Sequence, residues 1–197
     1  MKFKNKIYSF LSRPAIEVAP DLIGCRLIRN FPNSKSIEAL IVETEGYTEG
    51  DPACHAYRRK TKRNSIMFGM AGYTYIYKIY GIHHCLNIVT DLEDIPSGVL
   101  IRAVEFKKKD FSDLQNIHRL GAGPGKLCNI LNIDTKLNGK KLGIRSEINL
   151  NLRDKLFQKK IDTKKFNIIQ TTRIGITQGM DLPWRWYLDE SKSISQR

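Results

Sequence analysis

The stretch Ile37-Glu-Ala-Leu-Ile-Val-Glu-Thr-Glu45 decides the fold class of this 197-residue chain. In an extended conformation, its apolar side chains fall on both faces of the strand. They are Ile37, Ala39 and Ile41 on one face, and Leu40 and Val42 on the other. A strand that is apolar on both faces is typical of the covered centre of a sheet. The sequence therefore predicts that the domain is built around this strand.

Other β-rich segments follow along the chain. Residues 73–80 and 84–90 are rich in aromatic and β-branched residues and are joined at Gly81, which predicts a β-hairpin. Two further strands are predicted at 98–106 and 184–188, and short ones at 142–145 and 168–176.

Helical patterns are fewer. Residues 14–24 predict a helix that begins at Pro14 and ends at Gly24, with a kink or a break at Pro20. Residues 112–132 are predicted to be mostly helical, with an interruption at 121–125 and a helix from Pro124 to residue 131.

One domain accounts for the whole chain. A length of 197 residues suits a single globular domain, and 41% hydrophobic residues suffice for a packed core. We predict a single compact α/β (mixed α+β) domain over residues 1–197. It would contain a curved, largely antiparallel sheet with a protruding β-hairpin, and a flexible tail at residues 189–197.

The charge balance indicates a polyanionic partner. Lys and Arg number 33 against 20 Asp and Glu, so the formal net charge is +13 with neutral histidines. A surplus of this size in a small domain favours binding to nucleic acid or to another polyanion. The charge alone does not separate DNA from RNA, the ribosome or acidic lipid.

The remaining composition predicts a cytoplasmic chain with reduced thiols. No run of about 18 apolar residues is present, and the apolar run near the N-terminus is too short for a signal peptide. The four cysteines show no C-x-x-C spacing, which excludes a zinc ribbon or a thioredoxin-type motif. We expect these cysteines to be small, reduced core residues.

Two glutamates and an arginine stand out against apolar surroundings. Glu43, Glu45 and Tyr47 alternate onto one face at the end of the predicted central strand, and Arg102 interrupts the apolar strand at 98–106. A glutamate–arginine pair between neighbouring strands would satisfy both groups and keep the carboxylate ionised, as a general base requires. A purely structural ion pair is the alternative that this pattern leaves open.

Aromatic residues of the predicted hairpin have two interpretations. Tyr73, Tyr75 and Tyr77 share one face, and for Tyr73 and Tyr75 we expect half-buried core positions. Tyr80 lies beside the predicted tip, where a planar apolar side chain has little to pack against within its own chain. Proteins that flip bases use such wedges to separate stacked bases. Asn87, between apolar neighbours, needs a partner or a ligand.

The glycine-rich segment from Gly121 to Lys126 resembles a phosphate-binding loop. A Walker A motif would require glycine at position 120 and Ser or Thr at position 127, where this chain has Leu120 and Leu127. We therefore predict no nucleotide hydrolysis here. The segment could still present backbone N–H groups and Lys126 to a phosphate at the start of a helix.

These and other segments occur together, in this order, in one known family. They are Ile41-Val-Glu-Thr-Glu-Gly-Tyr47, Cys54-His55-Ala-Tyr57, Arg63-Asn64, Met67-Phe68, Tyr75-Ile-Tyr77, Ile79-Tyr-Gly81, Cys85-Leu-Asn87, Leu100-Ile-Arg102-Ala103, Gly123-Pro124 and Lys126-Leu-Cys128. In these segments the chain resembles the alkyladenine (3-methyladenine) DNA glycosylase family. The resemblance runs from about residue 14 to residue 188, and so many segments in register are highly specific.

The resemblance implies a role for each site residue. Glu45 would be the general base that activates water against C1′ of a flipped nucleotide, and Arg102 with the backbone carbonyl at Ile174 would help to hold that water. Tyr47, His55 and Tyr77 would line the base pocket, and Asn87 would exclude the exocyclic amine of normal guanine. Tyr80 would fill the gap that the flipped nucleotide leaves in the duplex, and Lys126 would contact the DNA backbone.

The same resemblance implies a DNA glycosylase of base-excision repair, and we predict a monofunctional enzyme because no lysine is placed to form a Schiff base with the sugar. Its substrate would be duplex DNA with damaged purines such as 3-methyladenine and 7-methylguanine, whereas neutral hypoxanthine would also require protonation, for which no dedicated acid is evident. The family implies no metal or organic cofactor. We expect a monomer without a membrane or an obligatory protein partner. Departures from the family pattern at Ala56, Arg59, Lys62, Ser65 and Lys78 bear on lesion range and DNA affinity.

Two other functions remain open at this point. Glu43, Glu45, Asp51 and His55 could bind a divalent metal and cut phosphodiesters. A non-catalytic nucleic-acid-binding module is the second alternative, since basic charge and tyrosines alone support salt-sensitive binding without lesion preference.

Overall fold

The chain forms one curved antiparallel sheet with helices packed against it. The computed structural model describes residues 2–111 and 115–197. The strands of these residues are β1 (Arg26–Asn30), β2 (Ser36–Tyr47), β3 (Thr74–Ile79), β4 (His83–Val89), β5 (Gly98–Phe106), β6 (Ile148–Asn151), β7 (Ile168–Thr171) and β8 (Arg185–Leu188). The helices are α1 (Lys2–Leu11), α2 (Ala15–Leu22), α3 (Pro124–Ile130) and α4 (Lys155–Asp162), with 3₁₀ turns at Ser65–Phe68, Lys108–Asp110, Ile117–Arg119 and Thr135–Leu137. The predicted α/β (mixed α+β) class with a largely antiparallel sheet is confirmed.

Strand β2 is the centre of the sheet, as the two-sided apolar pattern predicts. The main path of the sheet runs β3-β4-β5-β2-β1-β6. One edge of β2 pairs with β5 over most of its length, while the other edge pairs first with β1 and then with β8. Strand β7 pairs with β8 beyond it. Because β2 changes partners halfway along, its second half lies where several strand ends and loops converge.

The pairing register between β2 and β5 shifts near the middle of both strands. Val42 on β2 and Arg102 on β5 have no partner directly across the ladder. Irregularities of this kind bend a strand and redirect its side chains, and they are common next to functional sites. Here the shift lies between Ile41 and Thr44, so that Arg102 stands beside the stretch that carries the two glutamates.

Helix α2 covers the central strand from one side. Pro14 precedes the helix, and its buried face consists of Ala15, Val18, Ala19 and Leu22. The Thr44 hydroxyl donates to the Ala19 carbonyl at 2.8 Å, which ties β2 to the helix. The predicted break at Pro20 does not occur, since the helix is continuous from Ala15 to Leu22.

The β-hairpin predicted at residues 73–90 is confirmed as β3 and β4. Its turn contains Tyr80 and Gly81 with φ of 49° and 71°, the left-handed backbone that favours glycine. The Tyr80 side chain is 86% exposed and Ile82 is 69% exposed. The hairpin thus carries two large apolar side chains into solvent at its tip.

Several sequence predictions differ from the structure. Of the helix predicted over 112–132, residues 112–114 lie outside the described part, residues 117–119 form a 3₁₀ turn and only α3 is an α-helix. The physical reason is a backbone contact, since Val104 donates to the Gly121 carbonyl at 3.1 Å and the segment thus bonds to β5 instead of to itself. The predicted short strand at 142–145 is not a strand but an irregular segment that ends in a turn. Leu142 donates to the Gly72 carbonyl at 2.8 Å, and Gly143 donates to the Ile148 carbonyl of β6 at 3.3 Å. Strand β7 ends at Thr171, before residue 176.

The segment after β8, for which the sequence predicts a flexible tail, folds back onto the domain. Ser191, Ser193 and Ile194 are buried, and Ser195 bonds to Glu43 of β2. The sequence pattern misses this packing because the segment is polar, and hydrogen bonds of Ser191 and Ser195 hold it against the sheet. The four cysteines are free and buried, as predicted. Among the described residues, no helix has the length and apolar character that a membrane crossing requires.

Candidate active site

The second half of β2 brings two buried glutamates to one arginine. Glu43 and Glu45 are fully buried, and Arg102 is 8% exposed. Nη1 of Arg102 lies 3.1 Å from Oε1 of Glu45, and Nε lies 3.4 Å from Oε1 of Glu43. The glutamate–arginine pair between neighbouring strands is therefore confirmed. Burial alone would lower the pKa of Arg102, but the charges of Glu45 and Glu43 outweigh burial and raise it above its ordinary value.

Both oxygens of the Glu45 carboxylate accept hydrogen bonds. Oε1 accepts from the Ile174 backbone N–H at 2.8 Å and from Nη1 of Arg102. Oε2 accepts from the Tyr47 hydroxyl at 2.8 Å. Nη1 of Arg102 also donates to the Ile174 carbonyl at 3.3 Å. These bonds fix the orientation of the carboxylate, and they place a backbone carbonyl beside it.

A cavity of about 350 Å³ opens beside this centre. Its lining includes Tyr47, His55, Tyr77, Asn87, Arg102 and Ile174, together with Tyr80 from the hairpin tip. A volume of this size lies at the lower end of the range for small-molecule sites. Aromatic rings with a few convergent polar groups are suited to a planar, polar-edged ligand.

The aromatic walls of the cavity contact one another. The ring centroids of His55 and Tyr77 are 4.5 Å apart, and those of Tyr75 and Tyr77 are 5.4 Å apart. Nδ1 of His55 lies 2.9 Å from the Tyr75 hydroxyl. The amide of Asn64 donates to the His55 carbonyl at 2.8 Å and so holds the loop that carries the imidazole. These contacts hold the aromatic walls of the cavity in place without a ligand.

The protonation states of the walls follow from their surroundings. Partial burial lowers the pKa of His55, and the charge of Arg63 lowers it further, so the imidazole is neutral near pH 7. Burial raises the pKa of Tyr47 and of Tyr77, and the nearby Glu45 adds to the shift for both. Burial also raises the pKa of Tyr75 to about 12. All three tyrosines therefore keep their hydroxyl protons.

Basic side chains lie close to residues that line the cavity. The segment from residue 58 to residue 63 is exposed and contains five lysines and arginines, of which Arg63 stands 5.7 Å from the centre of the Tyr77 ring. Lys126 is exposed on α3, two residues after Pro124, which lines the cavity. The cavity thus opens onto a surface that suits a polyanion.

Comparisons with known proteins agree with this geometry. The profile of the methylpurine-DNA glycosylase family matches residues 9–192. The chain belongs to this family. It is therefore a DNA glycosylase, a hydrolase that acts on N-glycosyl bonds.

Proteins provisionally named 3-methyladenine DNA glycosylases are similar to the chain over nearly its whole length. One from Trichodesmium erythraeum is 48% identical over 197 residues, which covers 95% of this chain and 96% of the relative. One from Synechococcus elongatus is 49% identical, covering 96% and 90%. One from Methanoculleus marisnigri is 41% identical, covering 96% and 97%.

The structure of the glycosylase brings most of the predicted site residues together. Glu45, Arg102 and Ile174 form one hydrogen-bonded cluster, and the predicted pocket residues with Asn87 and Tyr80 line the adjoining cavity. Asn87 is buried and donates to the Tyr75 carbonyl at 3.0 Å. Lys126 lies outside this cavity lining, on the neighbouring surface.

Sequence reasoning missed Arg173, which supports the cavity wall from behind. Its side chain pairs with Asp51 through two nitrogens, one of them 2.8 Å from Oδ1, and both side chains are fully buried. The guanidinium lies 4.8 Å from the centre of the Tyr47 ring and 5.1 Å from that of Trp184. No pattern marks this arginine, because it lies in a polar stretch without periodicity.

The residues that a metal-dependent nuclease would use have other partners. Glu43 pairs with Arg185 at 2.8 Å, and Asp51 pairs with Arg173. Within residues 2–111 and 115–197, no group of three or more His, Cys, Asp and Glu side chains is arranged to hold a metal ion. The geometry therefore gives no support to the nuclease interpretation.

Proposed function

We propose that this chain is a monofunctional DNA glycosylase that hydrolyses the N-glycosidic bond of flipped alkylated purines in duplex DNA. Its substrates would be 3-methyladenine and 7-methylguanine, and its product an abasic site. The observation that carries the proposal is the Glu45 carboxylate, held by Arg102 and Ile174 beside an aromatic cavity. Family membership supports the reaction class.

The cavity walls would bind the damaged base by its positive charge. Alkylation at N3 or N7 makes a purine cationic, and the electron-rich faces of Tyr47 and Tyr77 attract a cation by about 1–2 kcal/mol when it is desolvated. The neutral imidazole of His55 adds a third ring without charge repulsion. The same charge makes the base a good leaving group, so recognition and chemistry favour the same lesions.

Glu45 would act as the general base on a water molecule. The water would lie between the carboxylate, the guanidinium of Arg102 and the Ile174 carbonyl, which already contact one another. As the bond to the base breaks, positive charge develops at the sugar, and the buried carboxylate stabilises it. The proton of the attacking water passes to Glu45, and the base departs with the electron pair of the glycosidic bond.

The described cavity also accounts for a monofunctional reaction. No lysine is among the residues that line it, so no amine is available there for a Schiff base with the sugar. Without that covalent intermediate, the strand stays intact at the abasic site.

Asn87 would limit access for guanine. It is held at the cavity wall by the Tyr75 carbonyl, and from there it would oppose the exocyclic amine of an unmodified guanine. Because 7-methylguanine carries the same amine, its binding would depend more on its positive charge than that of 3-methyladenine. Neutral hypoxanthine lacks the charge, and no dedicated acid for its protonation is evident.

Outside the cavity, Tyr80 and Lys126 would bind the duplex. Tyr80 at the exposed hairpin tip would fill the gap that the flipped nucleotide leaves in the base stack. Lys126 would contact a backbone phosphate near the mouth.

Mass spectrometry of bases released from methylated duplex DNA, in the presence of EDTA, tests the proposal. We expect wild-type protein to release 3-methyladenine and 7-methylguanine, with strand breaks appearing only after alkali treatment. Glu45→Gln keeps the shape of the side chain but removes the base, so release should stop while binding to methylated DNA persists. Full activity of Glu45→Gln would remove Glu45 from the mechanism, and strand cleavage without alkali would contradict a monofunctional reaction.

A further inference from the structure

Glu43 is a buried carboxylate that the mechanism above does not use. It is fully buried and is not among the residues that line the cavity. Its Oε1 accepts from Nη1 of Arg185 at 2.8 Å and from the Ser195 hydroxyl at 2.8 Å, and its Oε2 accepts from the Ser195 backbone N–H at 2.6 Å. Nε of Arg102 lies 3.4 Å from Oε1. Glu43 thus contacts the site arginine from the side away from the cavity.

Ser195 contacts both members of this pair. Besides its two bonds to Glu43, its hydroxyl lies 3.5 Å from Nη2 of Arg102. Nε of Arg102 has no hydrogen bond of normal length within the described residues and depends on Glu43 for its charge partner. The position of Glu43 therefore bears directly on the orientation of the guanidinium.

The C-terminal segment that supplies Ser195 is anchored on both sides of it. The Ser191 hydroxyl donates to Glu105 of β5 at 2.6 Å, and Ile194 is buried. The Gln196 carbonyl accepts from Nη1 of Arg185 at 2.8 Å. These contacts hold a polar segment against the sheet at the place where the two glutamates emerge.

The planarity of arginine gives this arrangement its consequence. The five N–H groups of a guanidinium lie in one plane, so fixing Nε and Nη2 on one side fixes Nη1 on the other. In this chain Glu43 contacts Nε and Ser195 contacts Nη2. On the other side, Nη1 contacts Glu45 and the Ile174 carbonyl. If Nε and Nη2 of Arg102 shift, the guanidinium plane rotates and Nη1, which faces the proposed water, is displaced.

We propose that Ser195 and Glu43 are positioning residues, through which the C-terminal segment aligns Arg102 with Glu45 for base excision. This inference rests on the proposed function. It differs from a structural role in which the segment only covers the sheet, because it requires the Ser195 hydroxyl itself to affect the rate of bond cleavage in folded protein.

Single-turnover base release from 7-methylguanine DNA, with enzyme in excess, tests the proposal. Ser195→Ala removes the hydroxyl bond to a charged group, and we expect the rate constant to fall roughly tenfold. Ser195→Thr restores the hydroxyl and should recover most of the rate. Ser191→Ala is the matched control, since it also removes one tail hydroxyl but contacts neither Glu43 nor Arg102. Circular dichroism confirms that each variant is folded at the assay temperature.

Each outcome decides between the two roles. A loss in Ser195→Ala alone, with rescue by Ser195→Thr and an unchanged Kd for methylated DNA, supports positioning. Equal losses in Ser195→Ala and Ser191→Ala, or a wild-type rate in Ser195→Ala, overturn it. If wild-type protein itself releases no base, the proposed function fails, which is a result distinct from either of these.

Discussion

His55 places a neutral ring in a cavity proposed for a cationic base. Partial burial and the charge of Arg63 lower its pKa below the ordinary 6.5. Because the lowered pKa belongs to the folded protein, the ring stays neutral down to mildly acidic pH and gains a proton only below its shifted value. A bound cationic base would lower the pKa of His55 further, so protonation of His55 would weaken binding of the base.

This coupling predicts a pH dependence of lesion binding. In the Glu45→Gln background, which removes the titration of Glu45, affinity for 7-methylguanine DNA should fall below about pH 6.5 as His55 becomes charged. The measurement is fluorescence anisotropy of a labelled duplex at constant ionic strength.

The control is the double variant with His55→Gln, which has no titratable side chain at position 55. Its affinity for 7-methylguanine DNA should be weaker throughout and should lack the acidic decline that His55 causes. An identical decline in both proteins would assign the effect to another group and would contradict the neutral-ring argument.

At the scale of elements, the Asp51–Arg173 pair joins two loops behind the cavity. Asp51 follows β2 and Arg173 follows β7, and Arg173 also donates to the Gly46 carbonyl at 3.1 Å. A buried charge that loses its partner is left without compensation. The pair therefore keeps the Tyr47 ring and the Ile174 backbone in register with each other.

Asp51→Ala should consequently destabilise the protein strongly. We expect the free energy of unfolding in urea to fall by about 3–5 kcal/mol, since Arg173 stays buried and unpaired. The comparison is Asp189→Ala, which removes an exposed pair with Arg197 and should cost less than about 1 kcal/mol. Equal small effects of both substitutions would show that Arg173 finds other partners, and the stabilising role assigned to the Asp51–Arg173 pair would be wrong.

The elements that could be predicted from the sequence are those with a strong internal pattern. Strands β2 and β5 and the β3–β4 hairpin were recognisable because their apolar and β-branched runs are long, and 98–106 matches β5 at both ends. Strands β1 and β6 were missed because each is short and at least half of its side chains are polar. Helices α1 and α4 were missed as well, in stretches rich in lysine.

The candidate site shows the same limit. The pairing of Glu45 with Arg102 follows from two charges in apolar strands, which a sequence displays directly. The register shift that brings them together does not appear in any pattern, nor do the contacts of Arg173 and Ser195. Those residues come from polar stretches far along the chain, and their partners are decided by how the whole sheet curls.

For the molecule as a whole, the effect of the 13 excess positive charges on DNA binding depends on where they lie on the surface. Arg63 of the basic segment 58–63 lies 5.7 Å from the centre of the Tyr77 ring of the cavity, and Lys126 follows Pro124, which lines the cavity. Helix α4, which carries Lys159, instead packs through Phe157 against Gly24, which precedes β1 by two residues. If DNA covers the mouth, lysines near it contact phosphates, whereas those of α4 contribute only long-range attraction that salt screens.

Lys126→Ala should therefore change the salt dependence of DNA binding as well as its strength. Each phosphate contact contributes about −0.9 to the slope of log K against log salt concentration, so this variant should lose roughly one unit of slope. Lys159→Ala removes the same charge from α4 and should retain the wild-type slope. Anisotropy titrations of undamaged duplex between low and physiological salt measure both. Equal slopes in the two variants would mean that the duplex does not approach the cavity across α3, and the proposed orientation of DNA on this surface would be wrong.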